Sequence, residues 1–138
     1  MSELATKLRS VPLFSGLSDK DLAKIAAAGK EAHFEQGRMI AKQDEGGAGF
    51  HLILDGEVSV EVDGQKKATL RPGDYFGEMS LLDGKPRSAT VTVTEPLTTF
   101  SLVSWQFATI VDHSPSIARA LLVELSTRLR ETEAGTRH

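Results

Sequence analysis

Three residues carry most of the chemistry this sequence can do. Gly77, Glu78 and Arg87 fall in the segment Phe76-Gly77-Glu78-Met79-Ser80-Leu81-Leu82-Asp83-Gly84-Lys85-Pro86-Arg87-Ser88-Ala89-Thr90. Gly77 to Leu82 has helical composition, one and a half turns at most, inside a strand-rich region. The start of such a helix leaves backbone N–H groups without intrahelical partners. Those groups and the helix dipole favour an anion. Arg87 comes nine residues after Glu78 and offers a planar fork suited to phosphate. Glu78 would repel such an anion unless the ligand also presents hydroxyl donors, because an ionised carboxylate only accepts. A phosphate and a sugar hydroxyl on one compact molecule describe a nucleotide. Arg87 can also pair with Glu78 and hold it charged. Taken singly, each residue has a plainer reading. An arginine after a turn is usually solvated, and a glutamate at a helix start is favoured by the dipole. The set at fixed offsets favours a ligand contact.

The elements that must position these residues fall into three zones. Ten of the twelve glycines lie between Gly29 and Gly84. Ahead of them, Val11-Pro12-Leu13-Phe14 reads as an apolar anchor. Ser18 reads as an N-cap for a helix through Leu22, Ile25 and Ala26 that stops at Gly29. Residues 31–103 read as β. Short apolar segments at Met39-Ile40, Phe50 to Leu54, Val58 to Val62 and Ala68 to Leu70 sit between recurring glycines. Val58, Val60 and Val62 alternate with Ser59 and Glu61, as in a strand with one wet face. Asp55-Gly56 and Asp63-Gly64 suit tight hairpin turns. Two longer strands, Ala89 to Val93 and Thr98 to Val103, are separated by Glu95-Pro96. Such spacing suggests a sandwich or barrel. The last zone is helical. Ser104 caps a short helix through Val111, and Ser114-Pro115 opens a longer one to about Glu133. Ala118, Leu121, Leu122, Leu125 and Leu129 line one side of it, either to pack on the strands or to form a dimer seam. Trp105 reads as packing between helix and barrel. Ala134 to His138 reads as a frayed tail.

Composition narrows the function classes. The 138 residues suit one domain over residues 1–138, with helical segment 1–30, β region 31–103, helices 104–133 and tail 134–138. No cysteine is present, which removes disulfides, thiolate nucleophiles and Cys-type metal sites. Sixteen Lys and Arg against nineteen Asp and Glu argue against a nucleic-acid partner. No apolar run reaches the ~20 residues of a membrane span, and Met1 to Pro12 is polar and broken, unlike a signal peptide. A cytoplasmic setting without a membrane partner is expected. His33, His51, His113 and His138 form no metal-ligand pair, so no metal is expected. No G-x-S-x-G elbow occurs, and Gly46-Gly47-Ala48-Gly49 reads as a flexible turn, since no Gly-Lys-Ser/Thr follows it. No catalytic residue is assigned, and the chain is not expected to be an enzyme.

Residues 76–91 resemble the phosphate-binding cassette of cyclic nucleotide-binding domains, the β-roll family that includes catabolite-activator-type regulators and protein kinase A regulatory subunits. The resemblance extends to Val11 through Ser18, to Phe50 through Val60 with Asp55-Gly56, and to Arg71-Pro72-Gly73-Asp74-Tyr75-Phe76. It implies a mainly β fold with flanking α: an eight-stranded jelly-roll-like β-roll with an N-terminal helix, a short cassette helix and C-terminal helices. It implies ligand contacts from Phe76, Gly77, Glu78, Met79, Ser80, Arg87, Ser88 and Ala89. Gly77 would let the backbone approach the ligand, Glu78 would accept from the ribose 2′-hydroxyl, and Arg87 would pair with the cyclic phosphate. Ser88 and Ala89 would add phosphate or base contacts. Ser80 stands where the family often has alanine. By rough alignment Thr132, with Arg128 nearby, falls where an adenine contact would be.

The expected function is a sensor of cAMP or cGMP, with cAMP preferred and no cofactor beyond that ligand. Binding would reposition the C-terminal helices and so reach an unidentified protein effector, from a monomer or a weak homodimer through the last helix. The alternatives are an interaction module that has lost its nucleotide, or a fragment of a larger regulator. A transcription regulator is disfavoured, because eight residues after Arg130 are too few for a helix-turn-helix.

Overall fold

The computed structural model describes residues 2–44, 49–83 and 89–136. The chain divides into two compact units, residues 28–108 and residues 1–27 with 109–138. Among the described residues no helix is long and apolar enough to cross a membrane.

The first unit is an antiparallel sheet of β1 (Lys30–Phe34), β2 (Met39–Ala41), β3 (Gly49–Val62), β4 (Gln65–Leu70), β5 (Tyr75–Phe76) and β6 (Thr90–Val103), interrupted by the short helix α3 (Glu78–Asp83) and followed by α4 (Ser104–His113). The order is β1-β6-β3-β4, with β2 on β6 and β5 on β3. Helix α4 runs on past this unit's last residue. Ile53, Val58, Val91, Val93 and Leu97 are at most 3% exposed and form its core, with Phe34, Ile40, Val60, Leu70 and Phe76 packed against them.

The mainly β architecture agrees with expectation, but two turn signals are not turns. β3 runs on through Asp55-Gly56, and β6 runs on through Glu95-Pro96. The β3–β6 register slips between Ile53 and Val58, and Asp55 to Glu57 face Glu95 to Thr98 there. Gly56 has φ +94°, and a Cβ on it would collide with the Pro96 carbonyl. The two breakers therefore meet across the sheet as one shared bend, in the manner of a bulge. Counting each bent 14-residue strand as two arms turns the six described strands into eight. Asp63-Gly64 is the hairpin turn the sequence suggests, with φ of 53° and 78°. Gln43 braces it: its Nε2 donates to Asp63 Oδ1 at 2.9 Å, and its Oε1 accepts from the Asp63 N–H at 2.8 Å.

The second unit is helical. The stretch that reads as polar and broken holds α1 (Glu3–Arg9), where Ser2 Oγ accepts from the Ala5 N–H at 3.1 Å and Ala5 and Leu8 are buried. Its polar face hid an i, i+3 apolar pair. Val11, Leu13 and Phe14 are buried as an anchor. Ser18 caps α2 (Asp19–Ala28), its Oγ accepting from the Asp21 N–H at 3.1 Å. The carboxylate of buried Asp21 accepts from Ser116 Oγ at 2.8 Å, tying α2 to the first turn of α5 (Pro115–Thr136). The α5 backbone stays helical to Thr136, past the expected frayed end. Nothing in Glu131 to Ala134 breaks a helix.

The leucine stripe splits. Ile117 and Leu121 are buried, whereas Leu122 is 67% and Leu129 60% exposed. Adjacent residues on a helix lie about 100° apart, so Leu121 and Leu122 cannot share one face. Trp105 also departs from expectation. It is 69% exposed, and Phe107, two positions on and round the helix, is the buried aromatic of α4.

Candidate functional site

The site is built from β3 outward. Arg71-Pro72-Gly73-Asp74 forms a turn, with the Asp74 N–H donating to the Arg71 carbonyl at 2.9 Å and Gly73 at φ +96°. Proline second and glycine third are what a type II turn requires. The Arg71 N–H donates to Asp74 Oδ2 at 2.9 Å and fixes the turn further. It delivers β5 to β3, where His51 pairs with Phe76 and Leu52 with Tyr75. Gly77 then takes φ +83°, a left-handed conformation that bends the chain from β5 into α3.

A cleft of about 320 Å³ opens beside this bend. Phe76, Gly77, Glu78, Ser80 and Ala89 line it together with Tyr75, Leu70, Ala41, Val91, Val60 and Ala68. The last four form a cross-strand row, Ala41 beside Val91, Val91 beside Val60, and Val60 beside Ala68. Side chains in one such row share a sheet face. The cleft thus has an apolar β floor and a polar lip made by the first turn of α3. Among the described lining residues Glu78 carries the charge, and Ser80 and Tyr75 supply hydroxyls. Its volume is at the small end of the about 300–1,000 Å³ typical of small-molecule sites.

Of the residues singled out in the sequence, Phe76, Gly77, Glu78, Ser80 and Ala89 come to this one cleft. Arg87 and Ser88 lie outside the described residues, as does the side chain of Met79. Thr132 belongs to the helical unit, where its hydroxyl donates to the Arg128 carbonyl at 3.0 Å. Arg128 in turn faces Glu124 at 3.5 Å. Among the described residues no group of three His, Cys, Asp or Glu could hold a metal ion.

Sequence reasoning missed the floor. Ala41, Val60, Ala68, Leu70 and Val91 are ordinary strand residues, and only the alternation around Val60 hints that one face is apolar. It also gave no role to His51. That ring stacks on Phe76, with centroids 5.0 Å apart, from the strand that carries β5.

Comparison with known proteins agrees with this geometry. Residues 31–114 match the family described as the cyclic nucleotide-binding domain. A cAMP-dependent protein kinase regulatory subunit of Eremothecium gossypii is 42% identical over 91 residues, which is 65% of this chain and 20% of that protein. The Cyclic AMP receptor protein of Thermus thermophilus is 30% identical over 131 residues, 91% of this chain and 61% of that protein. The crystal structure of the N-terminal domain of a transcriptional regulator from Streptomyces coelicolor superposes with a TM-score of 0.87 at 26% identity, covering 96% of each chain. The chain spans between about a fifth and three fifths of the length of these two curated relatives. With a glycine-hinged helix start over an apolar β floor, and a family match over more than half its length, this chain belongs to the cyclic nucleotide-binding domain family.

Proposed function

We propose that this domain binds a cyclic mononucleotide in the cleft at Gly77–Ser80, with cAMP preferred to cGMP, and acts as a cytoplasmic sensor without chemistry of its own. The observation that carries the reading is the convergence of Gly77, Glu78, Ser80 and Ala89 on one cleft. Glu78 accepts from the ribose 2′-hydroxyl, the N–H groups at the start of α3 face the phosphate, and Arg87 pairs with it. The base lies along the apolar row. Support for cAMP comes from the two curated relatives, both named for it.

A cyclic mononucleotide has about 22 non-hydrogen atoms. At ~0.3 kcal/mol per atom that gives roughly −7 kcal/mol, near ten micromolar. Calorimetric titration with cAMP and cGMP tests the reading. Micromolar binding of cAMP, tighter than cGMP, is expected. No heat from either nucleotide would overturn it.

The output is mechanical: ligand binding changes the arrangement of the C-terminal helices, and a protein partner reads the change. A ligand can do this only by favouring one arrangement over another. Helix α5 exposes Leu122 and Leu129, one heptad apart. A 22-residue helix offers about three heptads, enough for weak self-association at most.

A further inference from the structure

Gln43 stands where three parts of the cleft wall are tied together. β2 pairs with β6 as far as Ala41 opposite Val91, and both of these residues floor the cleft. Two positions on, the Gln43 N–H donates to Oγ1 of Thr90 at 3.0 Å. The Gln43 side chain is gripped from another direction by the two bonds it exchanges with Asp63, at 2.9 and 2.8 Å. An amide that both donates and accepts to one residue is fixed in place and in rotation. Asp63 sits in the turn that joins β3 to β4, the strands that carry floor residues Val60 and Ala68. The donor that Thr90 meets is therefore anchored to the floor itself.

Thr90 is the first residue of β6 and lies opposite Glu61 of β3. Ala89, which lines the cleft, is bonded to it, and Arg87 and Ser88 come directly before in the chain. A β-branched side chain is stiff about its first torsion, so the Thr90 oxygen is a firm anchor for the backbone that carries it. We infer that Thr90 is a positioning residue for the nucleotide site: its hydroxyl, held by the Gln43 N–H, fixes the point from which Arg87, Ser88 and Ala89 reach the ligand. The inference rests on the reading of the cleft as a cyclic nucleotide site.

Such a tie matters because an arginine pairs with a phosphate through a planar fork, whose strength depends on direction as well as charge. A site is held to its working geometry by hydrogen bonds one step behind the residues that touch the ligand. Thr90 stands one residue behind Ala89 and three behind Arg87. Both Gln43 and Thr90 are half-buried, so taking away the hydroxyl costs the Gln43 N–H an acceptor that water replaces only in part. The coupling also runs in reverse. If the Gln43–Thr90 bond favours the binding arrangement, bound nucleotide must favour that bond by the same factor.

The test is a double-mutant cycle in cAMP binding on the whole chain: wild type, Thr90→Val, Arg87→Ala and the two together, with Thr90→Ser as the rescue. Calorimetry serves the tighter pairs and NMR titration the weaker ones. Thr90→Val keeps the side-chain shape and strand preference and removes only the acceptor. It should weaken cAMP binding by about three- to tenfold, the scale of one hydrogen bond, and Thr90→Ser should stay within about twofold of wild type. In the Arg87→Ala background the same Thr90→Val change should cost less than about twofold, because the group it positions is gone. A merely structural role would lower the melting temperature and leave the two backgrounds equally affected. In the wild type alone, which needs no variant to fold, the Gln43 amide should exchange several-fold more slowly once cAMP is bound. Unchanged affinity in Thr90→Val, failure of Thr90→Ser to rescue, equal costs in both backgrounds, or Gln43 exchange indifferent to cAMP would each overturn the inference and leave the nucleotide reading intact. Absence of cAMP and cGMP binding to the wild type would overturn that reading, and this inference with it.

Discussion

The tasks proposed for Glu78 and Arg87 are separable, and the ligand can be edited to tell them apart. A hydrogen bond to a charged group contributes about 1.5–3 kcal/mol. Glu78→Gln should weaken cAMP binding by roughly tenfold or more on that scale. Against 2′-deoxy-cAMP the same substitution should cost almost nothing, because the hydroxyl it serves is gone. A calorimetric cycle over the two proteins and two ligands checks this, and equal losses for both ligands would remove Glu78 from the ribose. The chemistry at this scale was legible because Phe76 to Ala89 is a continuous string of fourteen residues, five of which line one cleft. Residue type carried the signal there. His51 carried none, because its partners Phe34, Phe76 and Thr99 lie 17, 25 and 48 positions away in sequence.

At the scale of elements, the glycines of the two Asp-Gly pairs answer differently to the same change. Gly64 has φ +78° and open space around it, so Gly64→Ala should cost about 1 kcal/mol of backbone strain. Gly56 has φ +94°, and a Cβ there would also stand 2.8 Å from Leu97 Cα, besides meeting the Pro96 carbonyl. Gly56→Ala should cost at least about 2–3 kcal/mol, since strain and a backbone clash add. Urea unfolding of the two variants measures the difference, and equal midpoints would argue against the shared bend. The sequence could not separate these pairs. Both are Asp-Gly between apolar runs, and the partner strand decides which becomes a hairpin and which a bulge. The leucine stripe fails for a similar reason. Helical spacing marks apolar positions, but not which neighbour covers Leu121 and leaves Leu122 in water.

For the whole molecule the fold was mostly legible. Glycine spacing marked the β region, capping residues marked α2 and α5, and alternation marked β3. The helical unit is knit through polar contacts that no local pattern announces, above all Ser116 to Asp21, 95 positions apart in sequence. Asp21→Ala should destabilise the chain by about 1–2 kcal/mol, because it removes a hydrogen bond to a charged group from a buried position, while the exposed Ser116 hydroxyl can turn to water. A thermal melt unchanged from wild type would deny that tie any weight. If ligand binding is relayed, amide exchange along α5 should change when cAMP is added. Identical exchange with and without nucleotide would leave binding without a switch.

The most direct test is a calorimetric titration of wild type and Arg87→Ala with cAMP, side by side. Binding near ten micromolar for wild type, weakened at least tenfold in Arg87→Ala, is expected from loss of a charge-assisted contact of ~1.5–3 kcal/mol. Equal affinity in the two proteins would contradict the assignment of this cleft to a cyclic phosphate.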